Sequence, residues 1–129
     1  MFWLISILLF CHFLADYSHL TRPWMLAAKA KGTPVWPIFL HACVHTLLMS
    51  WVLITYKFIM ALSNGGQEVL IGPALALQLI SHTLIDVCKG RLNIFETIRT
   101  PTSQWHWIVF GADQLLHQLV IIVMVYLCM

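Results

Sequence analysis

Four pairs of ionisable side chains carry the chemistry that this sequence offers. Each pair combines histidine and aspartate, or two histidines, at a separation of four residues within an apolar stretch: His12 with Asp16, His41 with His45, His82 with Asp86, and Asp113 with His117. A separation of four places both side chains on one face of an α-helix. Because ionisable residues inside apolar stretches are costly, four such pairs indicate one shared polar site.

Imidazole and carboxylate groups in this number are typical ligands of zinc, iron or manganese. We therefore predict that all eight residues are metal ligands for one or two ions. With neutral histidines the three aspartates carry a charge of −3, so one divalent ion leaves −1 and two ions leave +1, which one bridging hydroxide cancels. We also predict catalytic roles for Asp16, Asp86 and Asp113, one of which would act as general base.

Three further residues lie seven positions from a member of a pair, which is nearly two helical turns: His19, Lys89 and His106. This spacing keeps each of them on the face of its pair, one level nearer the end of the helix. We predict that they form a rim that binds an anionic or phosphorylated substrate. The alternative is that they extend toward lipid headgroups, as long polar side chains do near helix ends.

The composition indicates which elements must position these residues. Of the 129 residues, 60% are hydrophobic and only 9% are charged, and the mean hydropathy is +0.85. Soluble domains usually carry about 25% charged residues, so a soluble globule and a disordered chain are both excluded. The net charge is only +2 and the cations are scattered, which does not indicate nucleic-acid binding.

Four segments are long and apolar enough to cross a bilayer in helical form, which needs about 20 residues: 2–20, 35–62, 69–88 and 105–128. The sequence predicts a single all-α integral membrane domain over residues 1–129, an up-down bundle of four transmembrane helices. His-x-x-x-Asp recurs in the first and third spans, which indicates two repeated helical hairpins. Residues 23–31 are predicted to form a short interfacial helix that turns Trp24, Met25 and Leu26 toward lipid.

The loop charges predict the orientation in the membrane. The two long loops carry six cations, namely Arg22, Lys29, Lys31, Lys89, Arg91 and Arg99. The opposite side has only Lys57 and, in the short turn, Glu68. Because cytoplasmic loops are enriched in lysine and arginine, we expect both long loops in the cytoplasm and both termini outside it. The polar pairs then lie in the cytoplasmic half of the bundle. One turn further from the cytoplasm only Gln78 is polar, which favours a site open to the cytoplasm over a pore.

The four motifs resemble a small bacterial membrane family known as domain of unknown function 3307. The resemblance covers most of the chain and is carried by HFLAD at 12–16, LHACVH at 40–45, HTLIDVCK at 82–89 and DQLLH at 113–117. It implies the fold of that family and a place in the bacterial inner membrane, but no activity. The His-x-x-x-Asp pairs are also similar to the zinc site of cation diffusion facilitators, and His-x-x-x-His to one box of membrane desaturases.

These observations leave several functions open. Our first interpretation is a metal-dependent membrane hydrolase that acts on a lipid-like or phosphorylated substrate, with a metal that acidifies a bound water. The alternatives are a divalent-metal transporter or sensor, for which a homodimer could supply an outward path, a di-iron oxidase, and a non-catalytic membrane subunit. In the last case the polar layer would be a metal-free hydrogen-bond network that fixes helix packing.

Overall fold

The computed structural model describes residues 2–64 and 70–129, and its secondary structure consists of helices. They are α1 (Phe2–Tyr17), α2 (Pro23–Lys31), α3 (Val35–Asn64), α4 (Ile71–Leu92), α5 (Glu96–Arg99) and α6 (Gln104–Leu127). No strand occurs in these two described stretches, so the all-α class is confirmed. The predicted turn around Glu68 and the predicted start of the third span at Val69 lie outside the described residues.

Three helices are long and apolar enough to cross a membrane, counting the described residues alone. They cover Val35–Ser63, Ile71–Leu92 and Gln104–Leu127, and they correspond to the second, third and fourth predicted spans. Their outer surfaces are apolar, since Trp51 is 78% exposed and Ile80 is 61% exposed. Exposed apolar surface on this scale is unusual for a soluble monomer and suggests a membrane protein.

Helix α1 is shorter than the predicted first span, because it ends at Tyr17 instead of residue 20. After Tyr17, local hydrogen bonds take the place of the hydrogen bonds that would continue the helix. The backbone N–H of Leu20 donates to the Ser18 hydroxyl, and the Thr21 hydroxyl donates to the carbonyl of Ala15. Its 16 residues extend over about 24 Å, whereas a hydrocarbon core is about 30 Å thick. Membrane crossing by α1 therefore stays a prediction.

The long helices pack around an apolar core at one end of the molecule. Helix α1 contacts α3 and α6, and α4 contacts the same two helices. The core joins the first halves of α1 and α4 to the second halves of α3 and α6, with Leu8, Met49, Ala74, Ile121 and Met124 among its buried members. We call this region the apolar half.

Helices α2 and α5 lie at the opposite end, which we call the α2 end. Helix α2 has the predicted bounds, begins with Pro23 and ends at Gly32, whose φ of 69° suits a glycine cap. It packs on α3 and α4, where a Cβ atom on Gly90 would collide with the backbone of Gly32. Asn93, the residue that follows α4, also donates a 2.9 Å hydrogen bond to the Ala30 carbonyl. These contacts hold α2 tightly against α4.

Candidate metal centre

All eight predicted ligands meet in one layer at the α2 end. Seven of them are buried, and Asp16 is partly exposed. The five imidazole rings are mutual neighbours, because the ring centroids of His45 and His82 lie 4.0 Å apart and those of His82 and His117 lie 4.2 Å apart. His12 lies 4.6 Å from His45 by the same measure. The spacing of four on each helix has therefore placed the pairs at a common level, as the sequence predicts.

Asp16 of α1 faces histidines from two helices. Its Oδ1 atom lies 3.2 Å from His41 Nε2 and 3.4 Å from His45 Nε2, and its Oδ2 atom lies 3.6 Å from His12 Nε2. Lys29 Nζ donates a 3.1 Å hydrogen bond to the same Oδ1 atom. Asp16 thus links α1 to α2 and α3 within the layer.

Asp86 of α4 is the second centre of charge in the layer, and its side chain is fully buried. Its oxygens lie 3.3 Å from His82 Nε2, 3.4 Å from His117 Nε2 and 3.7 Å from His41 Nε2. Lys29 Nζ lies 3.3 Å from Asp86 Oδ1. A carboxylate buried to this degree is stable only with such partners.

Asp113 of α6 closes the layer on the far side of α4. Its Oδ1 atom lies 3.6 Å from His117 Nε2, one helical turn away. Its Oδ2 atom lies 3.3 Å from Lys89 Nζ and accepts a 3.1 Å hydrogen bond from the Gln114 amide. Lys89 was predicted as a substrate residue, and the structure places it beside a predicted ligand instead of on a separate rim.

Lys29 is a member of the layer that sequence reasoning counted only as a loop charge. Its side chain is buried between Asp16 and Asp86, and its Nζ atom lies 3.2 Å from His41 Nε2. Burial alone would lower the pKa of this ammonium group, but the charges of Asp86 and Asp16 raise the pKa above the ordinary lysine value. The two carboxylates therefore favour the ammonium form of Lys29.

A signal for Lys29 does exist in the sequence of α2. Met25, Ala28 and Lys29 are the buried residues of this helix, and they follow the i, i+3, i+4 pattern of a single face. A lysine on the apolar face of a short helix is an anomaly that points to a buried partner. The helix was instead predicted to turn Met25 toward lipid, and that orientation is wrong because this face packs on α3 and α4.

Two buried polar side chains orient histidines from behind. The Thr21 hydroxyl lies 3.1 Å from His41 Nδ1, and the Gln78 amide nitrogen lies 3.2 Å from His82 Nδ1. In this orientation the Gln78 amide nitrogen donates to Nδ1, whereas a flipped amide would present its oxygen, accept a hydrogen bond from Nδ1–H and leave Nε2 with a free lone pair. Outer partners of this kind fix the orientation of metal-binding imidazoles.

Several buried ligand atoms make no hydrogen bond with the described residues. They are both ring nitrogens of His12, both ring nitrogens of His45, His82 Nε2, Asp86 Oδ2 and Asp113 Oδ1. Buried polar atoms in proteins are almost always hydrogen-bonded, and each exception costs about 1–3 kcal/mol. Each neutral imidazole has one nitrogen with a lone pair and one N–H, so a further group that accepts one lone pair from each ring would satisfy part of this set.

The spacing of the ligand atoms is compatible with a metal ion. The imidazole–carboxylate contacts named above lie mostly between 3.3 and 3.7 Å. Charge-assisted hydrogen bonds would be about 2.7–2.9 Å long. Two ligands bound tetrahedrally to one ion at about 2.1 Å lie about 3.4 Å apart. His12, His45 and His82 form one set of three within 4.8 Å, and His41, His82 and Asp86 form another.

A polar cavity of about 380 Å³ reaches the layer from the α2 end. Asp16 and Lys29 line its inner side, and Lys89 and His106 line its wall. A larger cavity of about 880 Å³ adjoins it through Ala30, Asn93 and His106, and it is lined by Lys31, Arg91 and Arg99. The layer is thus approached through a strongly cationic entrance.

The three predicted substrate residues have different positions. Lys89 and His106 line the polar cavity, and His106 Nδ1 donates a 2.7 Å hydrogen bond to the Ile98 carbonyl. His19 is exposed and is not among the described residues that line the cavity, because α1 ends at Tyr17 and helical spacing from His12 does not continue beyond it. Substrate binding by these residues stays a prediction.

Comparison with protein families agrees with the four motifs in this layer. A family model described as a protein of unknown function (DUF3307) matches residues 4–129, which is nearly the whole chain. The chain belongs to this family. Comparison with curated proteins gives no match, and comparison with solved structures gives none. Membership of DUF3307 confirms the resemblance, and it supplies no activity, so the function must be argued from the layer itself.

Proposed function

We propose that this DUF3307 chain is an integral membrane metalloprotein with its metal centre in the cytoplasmic half of an up-down bundle. In this proposal α1 is the fourth, short span, packed between α3 and α6. In the apolar half, the first halves of α1 and α4 lie beside the second halves of α3 and α6, and this alternation supports an up-down topology. The cations at the α2 end support a cytoplasmic location for that end.

The observation that carries the metal assignment is the set of unsatisfied imidazole nitrogens. His12 and His45 are buried and form no hydrogen bond to any described residue, yet they lie with His82 at distances that suit one ion. Their Nε2 atoms lie 3.6 and 3.4 Å from oxygens of Asp16, which is long for a charge-assisted hydrogen bond, and a network built only for helix packing would bring these atoms closer. The donor set of imidazoles and carboxylates suits zinc, or iron or manganese.

The two lysines in the layer favour one ion over two. Lys29 and Lys89 contact the three aspartates and reduce the charge of the carboxylate set from −3 to −1 when the histidines are neutral. One divalent ion then leaves +1, which a hydroxide or one anionic substrate group balances. A second ion would leave +3 in a buried layer, and such an excess of charge is strongly unfavourable.

The geometry supports hydrolysis of a phosphorylated or lipid-like substrate as the activity. A divalent ion here would lower the pKa of a bound water and polarise a substrate oxygen. Asp16 is the proposed general base, because it contacts three histidines and also lines the cavity. The fully buried Asp86 would position ligands, and Asp113 would hold Lys89 at the cavity wall.

The apolar half supports hydrolysis over transport. One turn from the histidines, on the side of the apolar half, Gln78 is the polar member of the interior. The rest of the interior there is filled by Leu8, Met49 and Ile121, each fully buried. Within the described stretches these side chains leave the far side of the layer without a polar route. A metal transporter would need one to release its cargo.

Elemental analysis of the detergent-purified protein tests the metal assignment. We expect about one zinc, iron or manganese ion per chain in wild type and less than a tenth of that in His45→Leu. The matched control is His19→Leu, which removes an exposed histidine and should keep the wild-type metal content. A packing network predicts instead that His45→Leu destabilises the bundle and that wild type binds no ion even after incubation with each metal.

Release of inorganic phosphate from a lipid phosphomonoester tests the activity. Loss of a general base lowers turnover by roughly 100- to 10,000-fold, so Asp16→Asn should lose activity to that extent. Glu96→Gln, on exposed α5, is the matched control and should retain it. Metal-loaded wild type that releases no phosphate would contradict the hydrolase proposal without affecting the metal assignment.

A further inference from the structure

An apolar groove runs along the outer surface between α4 and α6, separate from the polar cavity. Its walls are Leu84, Ile85, Cys88 and Leu92 on α4 and Val109, Ala112 and Leu116 on α6, and its volume is about 290 Å³. The flanking leucines are well exposed, so the groove is open to the surroundings. It extends over about eight residues of each helix, or about 12 Å, which is most of one leaflet.

Two polar residues interrupt the groove, and they form an ion pair. Lys89 and Asp113 both line it, with Lys89 Nζ 3.3 Å from Asp113 Oδ2 and 5.4 Å from the centre of the Phe110 ring. Lys89 and Val109 also line the polar cavity. The groove on the lipid side and the cavity that reaches Asp16 therefore meet at Lys89.

We propose that the α4–α6 groove binds the chain of a single-chain lipid phosphomonoester and that Lys89 binds its phosphate. This inference names the substrate class of the proposed hydrolase, and its catalytic part rests on that proposal. Lys89 lies near the end of α4, whereas Leu84 and Leu116 lie deeper. The groove therefore matches the direction of a membrane lipid, with its headgroup at the α2 end and its chain toward the bilayer centre.

Charge complementarity supports a phosphate at this point. An ammonium group has three N–H donors, so Lys89 keeps two for phosphate oxygens while it contacts Asp113. Lys29 lines the same cavity, and the adjoining cavity adds Lys31, Arg91 and Arg99. Any lipid chain fills an apolar groove in a bilayer, so selectivity must come from these cations and the headgroup.

Photo-crosslinking in phosphatidylcholine nanodiscs tests the inference. The probe is a monoacylglycerol phosphate with a photoreactive group in its chain, and the reference is the same monoacylglycerol without phosphate. We expect crosslinks at residues 84–92 and 109–116, with about tenfold higher apparent affinity for the phosphorylated probe. Lys89→Gln should remove this preference, and Lys89→Arg should keep it. Inorganic phosphate at the probe concentration should not compete, because the chain supplies part of the binding.

A pair of tryptophan substitutions on α6 separates the groove from general lipid contact. Leu116→Trp fills the groove and should lower the affinity for the phosphorylated probe about tenfold. Ile122→Trp is the matched control, because Ile122 is exposed to the same extent as Leu116 but does not line the groove in the described structure. Equal affinity for both probes, or equal effects of both tryptophans, would overturn the inference.

Metal analysis of the same samples separates this inference from the proposed function. Protein that contains metal but binds both probes equally would overturn the groove assignment alone. Protein that contains no metal but prefers the phosphorylated probe would overturn the metal assignment alone.

Discussion

The two halves of the bundle use the same helices for opposite purposes. In the apolar half, the buried side chains include Leu8, Met49 and Ile121, and these side chains have no hydrogen-bonding group that needs a partner. One turn away, the same faces carry His12, His45 and His117 among buried carboxylates. Packing in the first region depends on shape and volume, whereas the second depends on charge balance and lone pairs.

This difference indicates how a substitution should act in each half. A truncated apolar side chain leaves a cavity and weakens the fold, but it leaves the ligand set intact. A removed carboxylate changes the charge of the whole layer, so it should affect metal content and stability together. The following predictions test that contrast.

The largest effect is expected for Asp86→Ala in the polar layer. It removes a fully buried carboxylate and leaves Lys29 with Asp16 as its acidic contact, which should cost about 3–5 kcal/mol in the free energy of unfolding. Metal content should fall below a tenth of wild type. Chemical unfolding in mild detergent and elemental analysis measure the two effects. Glu96→Ala, an exposed acid, is the control, and similar behaviour of both variants would contradict the role of the layer.

In the apolar half, Leu8→Ala should lower the free energy of unfolding by about 2–4 kcal/mol through the cavity that it leaves. Metal content of the protein that remains folded should equal that of wild type, because the ligand set is unchanged. The control on the same helix is Ile7→Ala, which removes an exposed side chain and should cost much less. A parallel loss of metal in Leu8→Ala would show that the two halves are not independent.

A smaller effect is expected at the contact that holds α2 in place. A Cβ atom on Gly90 would overlap the Gly32 backbone and the Lys29 carbonyl, so Gly90→Ala should push α2 outward at a cost of about 1–3 kcal/mol. Trp24 of α2 packs on Trp36 of α3, with ring centroids 5.1 Å apart, so tryptophan emission should report the shift.

Gly111→Ala provides the matched control for that substitution. A Cβ atom on Gly111 has no described atom within 4 Å, and alanine is the better helix former, so this variant should be neutral or slightly stabilised. Unchanged emission and stability in Gly90→Ala would contradict the close contact between α2 and α4.

The smallest effect should separate two of the predicted substrate residues. His19→Ala should change the free energy of unfolding by less than about 0.5 kcal/mol and leave phosphate release within about twofold, because His19 is exposed. His106→Ala removes a residue of the cavity wall and should weaken phosphate release several-fold at low substrate concentration. A larger loss of phosphate release in His19→Ala than in His106→Ala would indicate that the substrate binds near the end of α1 instead.

The ligand layer could be predicted from the sequence because its signal is local. Two polar residues four apart define a helix face without any knowledge of the neighbouring helices. Four such faces avoid the free-energy cost of contact with lipid when they all turn toward one centre. The predicted bounds of α2 also agree with local features, because Pro23 begins the helix and Gly32 caps its end. Features of this kind depend only on residues that are close in the sequence.

Features that depend on tertiary contact could not be predicted in this way. The spacing in α2 places Lys29 on the face of Met25 and Ala28, but the carboxylates that it meets depend on the fit of Gly32 against Gly90, which are 58 residues apart in the sequence. The end of α1 at Tyr17 depends on the competing hydrogen bonds of Ser18 and Thr21, and it removed His19 from the face of His12. Periodicity is informative only inside a helix whose ends are already known.

The short length of α1 has a consequence for the surrounding lipid. If α1 crosses the bilayer as proposed, its roughly 24 Å meets a hydrocarbon core of about 30 Å, and local thinning on that flank is one way to relieve the hydrophobic mismatch. Asp16 lies one residue before the end of this helix. Thinning would bring water and headgroups close to its carboxylate, while Asp86 on the longer α4 stays deep. The cavity that Asp16 lines would then lie beside the thinnest part of the surrounding bilayer.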